Sequence, residues 1–174
     1  RDLRNAEIRQ LTVDPAGNFW GSTPAGTVGV WRNGRFEPVV EMGGDLDIVS
    51  LGASRDRKVY VATEDELFVF DADVALDGTT PVSVRRYGGI DQVTTLFVDN
   101  ENSVWMASMS RLIRFLDDRF LHFRLRTGLE PATVWGITED LDGRFWFGTQ
   151  TQLLVQDRAG RLTQIGADNG VPAG

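Results

Sequence analysis

Side chains able to carry out acid–base or metal chemistry are scarce in this sequence of 174 residues. His122 is the single histidine, and the chain contains no cysteine. These counts exclude a thiol nucleophile, a disulfide framework, a cysteine-ligated metal and a site with several histidines. We therefore expect no catalytic residue, no metal and no cofactor. We expect His122 itself to be a packed or surface side chain.

The segment Asp140-Leu-Asp142-Gly143 superficially resembles the start of a calcium-binding loop. It lacks the later ligands of such a loop, in particular the bidentate glutamate. A tight turn is the better interpretation, because an aspartate accepts hydrogen bonds from nearby backbone amides and glycine readily adopts left-handed conformations.

Charge and hydrophobicity restrict the class of protein further. There are 18 basic and 25 acidic residues, and the formal net charge is −7. Nucleic-acid surfaces need clustered positive charge, so we expect no nucleic-acid partner. No apolar run is long enough to cross a bilayer. Because the sequence begins with Arg1 and not methionine, we expect a piece of a longer chain, whose membrane contacts lie in other regions.

A polar residue, a turn and an aromatic residue six positions later recur along the chain. Three copies are clear, namely Asp14 to Trp20, Asp99 to Trp105 and Asp140 to Trp146; Ser54 to Tyr60 is a degenerate copy. The aromatic residues stand at positions 20, 60, 105 and 146, in steps of 40, 45 and 41. This period is typical of blade-type β repeats and of paired-helix solenoids.

Short apolar runs on both sides of each turn favour strands over helices. The run Phe145-Trp146-Phe147 and its counterparts are rich in aromatic and β-branched residues and end at Gly, Asn or Asp, as hairpin strands do. Two further runs follow each hairpin. The sequence therefore predicts an all-β fold of about four four-stranded antiparallel β-propeller blades, a partial ring of a larger propeller. The blades are expected at about residues 8–40, 48–87, 93–124 and 134–165 of one region that spans residues 1–174.

Two stretches allow other local structure. Residues 106–116 carry Met, Ala, Leu, Ile and Arg at spacings that a helix could use, but their register matches the strands of the other copies, which favours strands. The second unit has an insertion from Asp71 to Pro81 that contains Asp77-Gly78. We predict that this insertion forms a longer surface hairpin.

Residues that the copies share are assigned structural roles. The aromatic residues are expected to pack between blades, and the Asp and Gly residues are expected to shape the turns. The structural residues are Asp14, Gly17, Trp20, Tyr60, Asp99, Trp105, Asp140, Gly143 and Trp146.

A ligand site on a propeller is expected at the mouth of the central channel, in the loops that enter the inner strands. Trp135 stands outside the repeated tryptophan position, near the start of a predicted inner strand. Packing between blades is the alternative role of this side chain. An aromatic ring among amide and carboxylate groups would suit a sugar. The candidate ligand-binding residues are Arg9, Gln10, Asp47, Asp91, Gln92, Thr133 and Trp135.

The repeat resembles the two-component regulator propeller repeat. The unit from Val134 to Thr149 fits best, Thr127-Gly128-Leu129-Glu130-Pro131 precedes it, and Asn169-Gly170-Val171-Pro172 repeats that linker; the second unit departs from the pattern. The resemblance implies a non-catalytic sensory module of a transmembrane receptor, of the histidine kinase or diguanylate cyclase type. It also implies a location on the periplasmic or extracellular side of a bacterial inner membrane, with a carbohydrate fragment as a candidate ligand.

Two other functions stay open. Streptogramin lyases have similar repeats, and a propeller lyase or hydrolase would need a histidine, a carboxylate and a metal near the channel. The other is a scaffold that binds a protein partner. The two end blades would each expose a face suited to a neighbouring blade. We therefore expect closure as a four-blade ring, pairing with a second copy of the chain, or contact with the remainder of a larger propeller.

Overall fold

The computed structural model describes residues 7–43, 46–108, 111–123, 133–149 and 152–171. In these ranges the strands form four antiparallel sheets of four strands each. Each strand pairs with the next one in sequence, which is the meander expected of a propeller blade. The predicted all-β class is confirmed. No helix in the described ranges is long and apolar enough to cross a membrane.

Contacts divide the chain into two compact units, residues 1–91 and residues 92–174. The first unit holds the first two sheets. Its first sheet consists of β1 (Gln10–Val13), β2 (Phe19–Ser22), β3 (Thr27–Arg32) and β4 (Arg35–Glu41). Its second sheet consists of β5 (Ser50–Ala53), β6 (Lys58–Ala62), β7 (Glu66–Asp71) and β8 (Arg85–Gly88).

The second unit repeats this plan. Its first sheet consists of β9 (Val93–Val98), β10 (Val104–Ser108), β11 (Leu112–Leu116) and β12 (Arg119–Phe123). Its second sheet consists of β13 (Val134–Glu139), β14 (Phe145–Thr149), β15 (Leu153–Gln156) and β16 (Leu162–Ile165). A single 3-10 turn, Ala167–Asn169, follows β16. The stretch 106–116 contributes to β10 and β11, as the register of the repeat predicts.

Within each unit the two sheets pack face to face around one core. In the first unit, Trp20 is fully buried, and its ring meets the edge of Phe70 with ring centroids 5.8 Å apart. In the second unit, the buried Phe147 and Leu154 share a core with Ala107 of the neighbouring sheet. Burial of these side chains is the main stabilising contribution, because apolar area is removed from water on both sheets at once.

The insertion in the second sheet forms a helix, so the predicted surface hairpin was wrong. Helix α1 (Ala72–Asp77) begins after Asp71, whose Oδ1 accepts the backbone N–H groups of Asp73 and Val74. It ends at Gly78, which has a φ of 68°. An Asp cap at one end and a left-handed Gly at the other are standard helix signals. The Asp77-Gly78 pair that suggested a hairpin is in fact the end of this helix.

The first sheet of the first unit exposes one apolar face. Register pairs Leu11 with Gly21, Val13 with Phe19 and Phe19 with Trp31, which places these side chains on one side of the sheet. Leu11, Val13, Phe19 and Trp31 are 69%, 50%, 54% and 54% exposed. We call this set the apolar end face.

Candidate functional site

In each clear copy of the motif, both carboxylate oxygens of the Asp accept hydrogen bonds from other residues of the same motif. In the third clear copy, Asp140 Oδ1 accepts the backbone N–H groups of Asp142 and Arg144, each at 2.9 Å. Asp140 Oδ2 accepts the indole Nε1–H of Trp146 at 2.8 Å. Gly143 has a φ of 71°, the left-handed conformation that the turn needs. The Asp and the Trp of the motif are therefore direct hydrogen-bond partners.

The other two clear copies repeat this indole–carboxylate bond. Trp20 Nε1 donates to Asp14 Oδ2 at 3.1 Å, and Trp105 Nε1 donates to Asp99 Oδ2 at 2.8 Å. The sequence alone explained the Asp as a turn residue and the Trp as a packing residue. The bond between them was missed, although the constant spacing of six residues was its signal.

In the degenerate copy, Ser54 stands at the position of the Asp and Tyr60 at the position of the Trp. Ser54 Oγ accepts the backbone N–H of Lys58 at 3.2 Å, and Arg57 takes the left-handed position with a φ of 66°. Tyr60 stands where the other copies have Trp. Burial and the negative charge of Asp56 raise the pKa of Tyr60, and the Ser54 hydroxyl acts in the opposite direction. Ser54 Oγ donates to Asp56 Oδ1, so Ser54 and Tyr60 occupy the positions of the Asp and the Trp without repeating the indole–carboxylate bond.

The same hydrogen bonds lower the pKa values of two turn carboxylates, Asp140 and Asp14. The Trp146 indole and the Arg144 amide hold the pKa of Asp140 well below its ordinary value of 3.8. Burial alone would raise the pKa of Asp14, but the hydrogen bonds from Asn18, Trp20 and the turn amides outweigh it and lower that pKa. Each donor stabilises the ionised carboxylate and not the protonated one.

We expect acid to destabilise the protein through these carboxylates. A folded-state pKa below the unfolded one means that the unfolded chain binds more protons, so the stabilisation is present above the unfolded pKa and is lost as the pH falls through the folded pKa. The window therefore lies below a pH of about 4. In Asp140→Asn, the urea midpoint should change less between pH 6 and pH 2.5 than it does in the wild type.

The matched control is Asp142→Asn, because the Asp142 carboxylate pairs with Arg144 at 2.9 Å and holds no backbone amide of the described residues. Its urea midpoint should keep the wild-type pH dependence. An equal loss of pH dependence in both variants would contradict the role of the Asp140 hydrogen bonds.

The seven candidate ligand-binding residues lie in both units. In the first unit, Arg9 NH1 lies 3.1 Å from Asp47 Oδ1, and both side chains are exposed. Gln10 is the first residue of β1. The exposed Asp91 ends the first unit, and the exposed Gln92, with a φ of 54°, begins the second.

In the second unit, Thr133 and Trp135 stand at the start of β13. The pairing of β13 with β14 passes from Val134–Thr149 to Gly136–Gly148, which leaves Trp135 in a bulge without a partner residue. Its side chain is 61% exposed. A bulge of this kind turns a side chain away from the plane of the sheet.

The neighbouring inner strand has a bulge at the same point. The pairing of β10 with β9 passes from Ala107–Thr95 to Ser108–Val93, which leaves Thr94 unpaired. Thr94 Oγ1 donates to the carbonyl oxygen of Val134 at 2.6 Å. This bond restrains the backbone next to Trp135, from which the exposed indole extends.

A groove of about 660 Å³ lies at the other ends of the strands of the second unit. It lies between the turns that follow β9, β13 and β15, and Trp105 and Phe145 are among its lining residues. The two rings are tilted, with centroids 5.2 Å apart. None of the seven candidate residues lines this groove. Its volume is typical of small-molecule sites.

Charged groups surround the aromatic pair. The guanidinium of Arg114 lies over the Trp105 ring at 5.1 Å, and its NH2 donates to Ser103 Oγ at 2.6 Å. Across the groove, Glu139 Oε2 accepts the backbone N–H of Asn100 at 3.1 Å and its side-chain Nδ2–H at 3.0 Å. An arginine inside the apolar strand β11 was the sequence signal for this groove.

The single histidine and the acidic side chains of the motif can be placed in the structure. His122 lies exposed on β12. Within these parts, no three His, Cys, Asp or Glu side chains stand close enough to hold a metal ion. Asp140 and Asp142 both pair with Arg144, at 2.7 and 2.9 Å. Their charges therefore stabilise the turn.

Comparison with solved structures identifies propeller proteins of similar fold. Virginiamycin B lyase from Staphylococcus aureus is 14% identical with a TM-score of 0.74, over 94% of this chain and 56% of the lyase. The extracellular domain of BT4673, assigned to a one-component system of B. thetaiotaomicron, is 15% identical with a TM-score of 0.71, over 94% of this chain and 22% of that chain.

The extracellular domain of BT3049, assigned to a hybrid two-component system of the same organism, is 16% identical with a TM-score of 0.60, over 100% of this chain and 31% of that chain. No protein-family model and no curated protein matches the sequence. This chain spans about half of the lyase and a smaller part of the extracellular domains. Its likeness to these proteins is therefore one of fold, shared by propeller enzymes and by extracellular domains of signalling systems.

Proposed function

We propose that the chain is a non-catalytic ligand-binding propeller module in the sensory region of a transmembrane signalling protein, on the periplasmic or extracellular side of the membrane. The observation that carries this proposal is the exposed indole of Trp135 on its bulge, fixed by the Thr94–Val134 bond. Most of this ring is exposed, and it offers a flat surface for stacking.

Fold and chemistry both support this proposal. Extracellular domains of signalling systems have the same fold. The repeat resembles the two-component regulator propeller repeat, whose units usually precede a transmembrane helix and a cytoplasmic output domain. The strand-start residues Gln92, Thr133 and Trp135 combine amide, hydroxyl and aromatic groups, which suit a carbohydrate fragment.

A propeller lyase is the second candidate, because the lyase from Staphylococcus aureus has a similar fold. Such a reaction needs a positioned acid or base. The one histidine lies exposed on β12, and the described residues hold no cluster of metal ligands. A protein-binding scaffold is the third candidate, for which the apolar end face is the available surface.

We expect Trp135→Ala and Gln92→Ala to weaken binding of an oligosaccharide identified on a glycan array. Loss of the Trp135 stacking surface should reduce affinity about tenfold, or ~1.4 kcal/mol. Calorimetric titration gives the affinities. Trp31→Ala is the matched control, since Trp31 is an exposed tryptophan on another surface. Unchanged affinity in both strand-start variants would contradict this site, and turnover of a streptogramin B substrate would favour the lyase.

A further inference from the structure

We propose that the groove between the two sheets of the second unit is a second ligand site, and that it binds a neutral saccharide. Six of the residues that line the groove could contact a ligand, namely Glu101, Trp105, Arg114, Glu139, Phe145 and Arg158. The site is separate from the strand-start residues around Trp135, and it does not depend on the sensory role proposed above.

The aromatic residues of the groove give it a firm apolar surface. Phe145 contacts Trp105 at 5.2 Å and Phe97 at 6.4 Å, measured between ring centroids. Trp105 is anchored in turn by its indole bond to Asp99 at 2.8 Å. Rings held in this way lose little conformational freedom when a ligand binds, so their contact surface is available at low cost.

The Asp residues at the rim have already used most of their hydrogen-bonding capacity. The two oxygens of Asp140 accept four donors, from the Asp142 and Arg144 amides, the Trp146 indole and the Arg144 guanidinium. A carboxylate offers about four lone-pair sites. Asp140 is therefore a turn residue that leaves no acceptor for a ligand.

Two other carboxylates keep free acceptors. Glu139 uses only Oε2, which accepts two donors from Asn100, so its Oε1 remains free among the described residues. The Glu101 side chain is 83% exposed, and its nearest cation is Arg114 NH2 at 3.6 Å. Both side chains can accept hydrogen bonds from a ligand in the groove.

Two guanidinium groups keep free donors. Among the described residues, Arg114 makes one hydrogen bond, to Ser103, and one of its nitrogens lies 3.6 Å from Glu101 Oε2, although a guanidinium carries five N–H groups. Its Nε is buried without a hydrogen-bond partner in the described part of the chain, which is unusual for a native protein. The exposed guanidinium of Arg158 lies over Gly143, and two of its nitrogens are within 3 Å of the position that a Cβ on Gly143 would occupy. Arg158 pairs with no carboxylate of the described residues.

Five carboxylates line the groove, and two of them, Asp140 and Asp157, are paired with Arg144 and Arg161 outside it. The other three, Asp99, Glu101 and Glu139, stand against Arg114 and Arg158, so the local charge is weakly negative. A strongly anionic ligand would be repelled by these carboxylates and a strongly cationic one by the two guanidinium groups. A hydroxyl group both donates and accepts, so a ring that carries several hydroxyls can bond to Glu101, Glu139 and Arg158 together. Its C–H face would rest on Trp105 and Phe145. These features together describe a neutral saccharide of a few units.

The test is calorimetric titration of the full chain with neutral oligosaccharides of glucose, galactose, mannose, xylose and arabinose, each of two to four units. We expect at least one of them to bind. The double variant Glu101→Gln/Arg158→Ala should lower its affinity at least tenfold, because both side chains are exposed and neither holds the fold. The matched control is Glu64→Gln/Arg35→Ala, which changes the same residue types at exposed positions of the first unit.

The outcomes separate this site from the strand-start site. Affinity that falls in the groove variant and is unchanged in Trp135→Ala and in the control supports the groove. Affinity that falls only in Trp135→Ala overturns the groove and supports the other site. Failure of every oligosaccharide to bind, or binding of glycylglycine in their place with the same dependence on Glu101 and Arg158, overturns the saccharide assignment.

Discussion

Replacing Trp20 by alanine should destabilise the first unit by about 3–5 kcal/mol, the range for removing a buried tryptophan. The Trp20 side chain has no exposed area, and its ring packs against Phe70 of the facing sheet. Its indole also donates to Asp14 Oδ2 at 3.1 Å. The substitution removes the core contact and leaves a partly buried carboxylate oxygen with one donor fewer, and both effects favour the unfolded chain.

Trp20→Phe separates these two effects. Phenylalanine keeps most of the apolar area and lacks the N–H donor, so loss of the hydrogen bond accounts for most of its expected cost of roughly 1–3 kcal/mol. The matched control is Trp146→Ala. Trp146 has the same motif and the same bond to its Asp, but its side chain is only partly buried. Urea unfolding followed by circular dichroism gives the free energies. Equal losses for Trp20→Ala and Trp146→Ala would contradict the role of burial.

We expect the chain to self-associate through the apolar end face, and disruption of this face should strongly weaken the association. In the second unit, Phe145 occupies the position of Phe19, since each directly precedes the tryptophan of its sheet, and Phe145 is covered by Trp105 at 5.2 Å. Phe19 is instead 54% exposed. We therefore propose that the end face packs against the tryptophan-bearing face of another blade, supplied by a second copy or by the remainder of a larger propeller.

The expected effect is large. An apolar face of about 400 Å² corresponds to ~10 kcal/mol at ~25 cal/mol per Å², as an upper limit. Phe19→Ser/Trp31→Ser should therefore weaken self-association at least 100-fold in sedimentation velocity. Leu141→Ser is the control, because Leu141 is fully exposed on a turn of the second unit. A wild-type chain that stays monomeric and stable at high concentration would contradict this prediction.

Much of the fold follows from local sequence. The Asp-x-x-Gly turn forms from hydrogen bonds between residues at most six positions apart, so its Asp, its left-handed residue and its aromatic residue are all visible as a pattern. The repetition of that pattern predicted four hairpins, and alternating apolar residues predicted their strands. The left-handed conformation of Arg57 in the degenerate copy was not predicted, because the pattern assigned that position to Gly or Asn.

The local sequence of the insertion is compatible with two structures. Asp77-Gly78 is a signal both for a hairpin turn and for the end of a helix. The burial of Ala72 and Ala75 and the bond from Arg32 to the Leu76 carbonyl at 3.0 Å stabilise the helix. That bond joins residues 44 positions apart, so no local pattern contains it.

The all-β class, the blade repeat and the turn residues follow from the amino-acid sequence, because they depend on neighbours within one hairpin. Which side chains meet across sheets depends instead on how the sheets pack. The bulge that exposes Trp135 and the bond that fixes it join two inner strands. The groove likewise brings Arg114 and Glu139 together from different sheets. Such pairings follow from how two sheets pack and which charges remain unpaired, and both are set by contacts distant in sequence.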